Sequence, residues 1–283
     1  MKTIKYFIDK ASDVTINVKG DNVVLLSKTE VIDFILDVYG KTFTTRSKAK
    51  ELTSLSYLGG VNSSAKIVKG TKMDYNTYIL YLTPYKTIFG VTCAKAEHCK
   101  DACLNTSGRV KMDVREFKIL KARYKKTLLF YINREFFNSW LFAEIDAHSK
   151  KYKNFMVRLN GTSDLSPKLF KVNNVCVLDA FKDVQFYDYT KIANRLDLNY
   201  SNYHITFSFD GYNMSESLSA IDKGINVSIV VDGEMPKTYK GIDVFDMDST
   251  DLRPLDKAKG NFGYLKLKQT LNKDYDSQFI IKL

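Results

Sequence analysis

The stretch NFMVRLNGTSD, residues 154–164, opens with apolar and β-branched side chains and closes on hydrogen-bonding ones. Four later segments repeat that order: DVQFYDYTK (183–191), YHITFSFDG (203–211), NVSIVVDG (226–233) and GIDVFDMDSTD (241–251). Runs of this length, bounded by Gly, Asp and Ser, read as strands. Short helical candidates lie between them, SPKLFKVNNVCVLDAF (166–181) and NMSESLSAIDKG (213–224). Strands alternating with helices favour a mainly parallel α/β sheet, here expected as an open or incomplete (β/α) barrel-like domain. Such sheets carry their ligands at the carboxyl ends of the strands. Those ends present Arg158, Asn160, Thr162 and Asp164, then Tyr187, Asp188 and Lys191, which are expected to line a pocket. A plainer reading exists for Thr162, Ser163 and Asp164, which before Pro167 would serve equally to cap a helix. Arg158 and Asp188 sit inside apolar runs and need a counter-charge, from each other or from a ligand.

Towards the N-terminus the pattern changes. VTINV (14–18) and NVVLL (22–26) flank a Gly-Asp turn, and Ser27 with Glu30 forms a capping-box signature for a helix that Gly40 would stop. LGGVNSSAKIVKGTK (58–72) reads as a loop, giving a small N-terminal α+β unit over 1–71 and the larger domain over 72–283. YNTYILYLTP (75–84) is a strand candidate, and a helical region runs from about Val110 to Lys151, broken near Thr127 or Asn133.

Between that strand and that helix lies VTCAKAEHCKDACLNTSGR (91–109), which holds three of the four cysteines. Cys93, Cys99 and Cys103 offer soft thiolates of the kind that bind zinc or an iron–sulfur cluster. Zinc would need a fourth ligand, with His98 the local candidate, whereas a four-iron cluster held by three thiolates leaves one iron open. The C-x5-C-x3-C spacing is neither a paired zinc ribbon nor the C-x3-C-x2-C of radical S-adenosylmethionine enzymes. Redox thiols and inert packing are the other readings; Cys176, in an apolar run, reads as core. Asp246, Asp248, Asp251 and Asp256 form an acidic stretch that reads first as a solvated turn with an Asp–Arg pair and second as a hard-cation site.

The 283 residues carry a net charge of +11, which favours polyanionic partners such as nucleic acid or a nucleotide; a Lys-rich composition from an AT-rich genome explains the same number without a partner. The basic helix residues Lys111, Arg115, Lys118, Lys121, Arg123, Lys125 and Lys126 are spread around the helix. No apolar run matches a signal peptide or a membrane span, so the chain is expected in the host-cell cytoplasm, with no membrane partner. P-loop, GxGxxG, HExxH and GxSxG motifs are absent from the sequence.

YNTYILYLTP, TCAKAEHCKDACLNTSGR, RYKKTLLFYINREFF, VRLNGTSDLS, DVQFYDYTK, NYHITFSFDG and DVFDMDSTDLRPLD, in this order over about residues 74–268, resemble the gene-product-eighty-eight-like family of bacteriophages and mobile elements. The resemblance implies a phage or mobile-element origin and matches the family's cysteine cluster to Cys93, Cys99 and Cys103. It also matches the segments Arg158 to Asp164 and Phe186 to Lys191. Ala94 stands where the family has Pro, and YLKLKQT (264–270) lacks a usual Gly. Two functions are expected from these features. One is a metal- or Fe–S-dependent enzyme acting on a nucleotide or nucleic acid. The alternative is a non-enzymatic nucleic-acid-binding protein, in which Arg158 and Asp188 pair with each other and face no cavity.

Overall fold

The computed structural model describes residues 2–63, 65–100, 102–269 and 278–282. Helix α1 (Ile4–Asp9) leads into a hairpin of β1 (Val14–Val18) and β2 (Asp21–Leu26), turned at Lys19 and Gly20 with positive φ. Helix α2 (Lys28–Val38) starts at the expected capping box: Glu30 N–H donates to Ser27 Oγ, and Ser27 N–H donates to the Glu30 carboxylate. After it come α3 (Arg46–Thr53), β3 (Gly59–Val61), α4 (Ala65–Thr71) and β4 (Asn76–Leu80). The long helical region divides at Asn133 into α5 (Lys118–Ile132) and α6 (Arg134–Lys151), because the Asn133 side chain accepts from Phe136 N–H and starts a new helix. Then follow β5 (Phe155–Arg158), β6 (Lys171–Val172), β7 (Val175–Cys176), α7 (Val177–Ala180), β8 (Gln185–Thr190), β9 (Tyr203–Ser208) and α8 (Met214–Asp222). The chain continues through β10 (Val227–Asp232), β11 (Thr238–Tyr239), β12 (Ile242–Asp246), β13 (Phe262–Lys266) and β14 (Ile280–Lys282).

One large sheet organises these elements, in the order β11-β12-β13-β10-β9-β8-β5-β4-β3, with β14 beside β10. Pairing is parallel from β4 through β12, and the two edges, β3 and β11, are antiparallel. The expected mainly parallel α/β sheet is therefore present; it stays open and does not close into a barrel. Alternation along β5 sorts its two faces. Phe155 and Val157 join α5 and α6 in the main core, whereas Met156 packs with Tyr187 and Leu252 on the other face.

Two local expectations change. Residues 58–72 are not a loop: Gly59–Val61 pairs with β4, so the main sheet begins inside the first seventy residues. Gly59 is required there, since a Cβ would lie 2.1 Å from the Tyr78 ring. The 166–181 segment is helical only towards its ends, in a 3₁₀ turn over Pro167–Leu169 and in α7, because Asn173 and Asn174 both take positive φ and close a tight hairpin between β6 and β7. Thr270, the last residue of YLKLKQT, lies outside the described residues. Among the described residues no helix is long and apolar enough to cross a membrane.

The β3 edge is held by one buried carboxylate on α6. Glu144 accepts from Leu58 N–H, Gly59 N–H and the Tyr78 hydroxyl, the last at 2.7 Å. Glu144→Ala leaves these donors unpaired in the core and is expected to cost about 3 kcal/mol in urea denaturation, with Glu144→Gln costing less.

Candidate functional site

Because the central strands are parallel, their carboxyl ends share one edge of the sheet, and a cavity of about 1030 Å³ opens there. Cys93, Cys99 and Cys103 line it, as do Arg158, Asn160, Thr162, Asp164 and Lys191. The cysteine loop follows β4 and is fastened at Thr92. The Thr92 hydroxyl donates to Thr83 C=O (2.6 Å), and the Thr92 carbonyl accepts Asp164 N–H (2.8 Å). Cys93 Sγ lies 3.5 Å from Thr162 C=O, so the thiols and the loop after β5 meet directly.

All three thiols of the cluster are half-buried. Burial pushes Cys103 up to about 12, with the charges of Cys99 and Cys93 adding to the effect. Cys93 is raised by burial too, and Asp164 and Cys99 contribute. The three sulfurs thus lie within each other's electrostatic reach. No group of three or more His, Cys, Asp or Glu among the described residues is placed to hold a metal ion as it stands. His98, the local fourth-ligand candidate, lies against Tyr212 with ring centroids 3.9 Å apart. Lys191 faces the same sulfurs: burial opposes its charge, but Cys99, Asp164 and Cys93 outweigh that and raise its pKa overall.

The loop after β5 is tied to itself and to β8. Asn160 Oδ1 accepts from Ser163 Oγ and Leu165 N–H, both at 2.8 Å. Asp164 accepts from Thr190 Oγ1 (2.9 Å), Lys191 N–H (3.1 Å) and the Arg195 guanidinium. Asp164 therefore joins two strand ends and does not cap a helix. Gly161 has no room for a Cβ, which would meet the Tyr81 ring at 2.6 Å.

Tyr187 and Asp188 do not line the cavity, contrary to expectation. The two-residue period of β8 explains both. Asp188 points to the helix-covered face and accepts from Asn160 N–H (2.7 Å), Asn160 Nδ2 and the Tyr203 hydroxyl; burial pushes it up to about 7. Tyr187 is on the cavity side but deeper, covered by Met156 and Leu252, while Tyr189, two residues on, reaches the cavity. Nor does Arg158 pair with Asp188. Arg158 Nη1 donates to Asp251 Oδ2 at 2.8 Å, its guanidinium lies 4.6 Å from the Tyr189 ring, and both tyrosine hydroxyls donate to Asp251.

Sequence reasoning missed Tyr189 and Arg195, and named Asp251 and Lys126 only as members of an acidic stretch and a basic helix. The acidic stretch contained Asp251 and is a solvated turn only in its first half: Asp246 and Ser249 are exposed, whereas Asp251 and Arg253 are buried, Arg253 pairing locally with Asp256 at 3.4 Å. Tyr189 was available from strand alternation. Asp248 lines the cavity and pairs with Lys268 at 2.9 Å, while Asp246 caps the turn at Asp248 and Ser249. Cys176 is buried, its Sγ 3.5 Å from Pro167 C=O, as expected of a core residue.

Asp251→Asn leaves the Arg158 charge buried without its partner and is expected to cost about 3–5 kcal/mol in chemical denaturation. The double variant Arg158→Met/Asp251→Leu is expected to recover most of that loss.

No curated protein and no solved structure matches the chain. The family model for Gene product 88 matches residues 44–282, which extends the resemblance about thirty residues upstream of where the motifs begin and through the C-terminal strand. The chain belongs to the Gene product 88 family of bacteriophage proteins.

Proposed function

We propose that this chain is an iron–sulfur-dependent enzyme acting on a nucleotide, with the open sheet serving as the wall of an incomplete (β/α) barrel. One observation carries the reading: three half-buried thiols and the polar ends of the parallel strands face a single cavity. Scattered strand ends would have left the cysteines as packing. The volume suits a nucleotide-sized ligand.

Cys93, Cys99 and Cys103 would hold the cluster. Bound through three thiolates, a four-iron cluster supplies an iron with an open position for a ligand. A single zinc ion needs four ligands about 2.3 Å from one point, whereas a cluster spreads its thiolates over separate irons. Raised thiol pKa values mean that binding must displace protons, so loading is favoured by rising pH. Lys191 offsets negative charge at the sulfurs. Arg158 and Tyr189, fixed by Asp251, give the substrate a rigid polar and aromatic wall. Asp164 keeps the loop after β5 in register with the end of β8.

The nucleic-acid-binding alternative required Arg158 and Asp188 to neutralise each other away from any cavity. Their separate partners, and the place of Arg158 in the cavity wall, favour the enzyme.

Anaerobic purification followed by iron and acid-labile sulfide analysis tests the proposal. Wild type is expected to carry about four of each per chain, lost in Cys99→Ala. Zinc alone, or no metal in wild type, would overturn the cluster.

A further inference from the structure

Lys126 is on α5, away from the strand ends, yet it lines the same cavity while only 8% exposed. Its ammonium makes no hydrogen bond or ion pair with any described residue; its recorded neighbour is the face of the Tyr57 ring, 5.0 Å from the centroid. Glu144, whose charge reaches it, is already occupied by Leu58, Gly59 and Tyr78. Arg123, one turn earlier on α5, lines the same wall, stacked 4.8 Å from the Tyr81 ring and held by Asn105. A cation this buried with no counter-ion is costly unless something else supplies the negative charge.

The cavity as a whole repeats this imbalance. Its described lining holds eleven Lys and Arg against three Asp. Each of those three carboxylates is already ion-paired: Asp164 with Arg195, Asp248 with Lys268 and Asp251 with Arg158. Among the described residues the charge left unmatched is therefore positive and multiple, part of it enclosed (Lys126, Arg123, Lys191) and part exposed, which fits a polyvalent anion better than a single carboxylate.

We propose that Lys126, with Arg123 beside it, forms a phosphate subsite on the α5 wall of the cavity. The subsite deepens the nucleotide reading, on which its assignment to the phosphate chain of a free nucleotide rests. In the empty cavity burial lowers the Lys126 pKa to about 8, with Arg123 opposing its charge and Glu144 supporting it. A bound phosphate stabilises the ammonium, so binding near pH 8 to 9 takes up a proton.

Isothermal titration of the full chain as purified anaerobically with pyrophosphate and with ADP, in wild type and Lys126→Met, tests the subsite. Lys126→Met is expected to weaken both by about ten-fold or more while keeping or raising the thermal midpoint, since it removes an enclosed charge with no ion pair among the described residues. The wild-type advantage is expected to shrink from pH 7 to pH 9 as the free lysine loses its proton. Buffers of different ionisation enthalpy should reveal proton uptake in wild type alone. Equal pyrophosphate affinity in the two proteins, a pH-independent difference, or no pyrophosphate binding by wild type would overturn the subsite. Lys126-dependent pyrophosphate binding that ADP does not displace would keep the subsite and remove the nucleotide reading. The same binding in a protein without iron would remove the cluster alone.

Discussion

Parallel pairing from β4 to β12 is the constraint on which the rest of the molecule depends. It forces every crossover to return behind the sheet and releases every strand at the same edge. Loops that are far apart in sequence must then share that edge: the cysteine loop after β4, the Asn160–Asp164 loop after β5, Lys191 after β8 and the Asp248–Asp251 segment after β12. An antiparallel sheet of the same strands would divide them between two edges.

Charge is what makes this shared edge specific. Asp251 binds Arg158 and two tyrosine hydroxyls, so the wall behind the cavity is neutral, buried and stiff. Asp164 does the same for the floor. Of the cations left over, Lys126, Arg123 and Lys191 are buried or part-buried, where a low-dielectric surround strengthens their pull on an anion; Lys69, Lys95, Lys100, Arg109 and Lys266 are exposed. A net charge of +11 thus has a local expression and is not only a property of composition.

Much of this was legible in the residues, and the limits of that legibility are physical. Strand ends such as Arg158 and Asp164 declare themselves because a polar residue ending an apolar run must face something. The capping box at Ser27 is equally local, and Asn133 was one of two sites where the long helix was expected to break. What sequence does not carry is which side of a strand a charge takes and who answers it. Arg158 and Asp188 both needed partners, but the two-residue period of β8 sends Asp188 towards Tyr203 and leaves Arg158 to Asp251, 93 positions away. Lys126 was one of several basic residues on a helix; only the packing of α5 against the sheet separates it from its solvated neighbours. The loop reading of residues 58–72 gave way for a related reason, since Gly59–Val61 is too short to register as a strand until β4 is beside it.

The apolar interior has two main parts, one running from Phe7 to Tyr203 and the other from Phe207 to Ile281. The cavity lies across the junction. Its thiols and Arg158 come with the first part, while Asp248, Asp251 and Phe279 come with the second. A chain in which only the first part has condensed would already expose its cysteines, but its arginine would lack a counter-charge. The arrangement of this cavity is therefore a report on the completeness of folding: Arg158 meets Asp251 only when both halves have closed on each other.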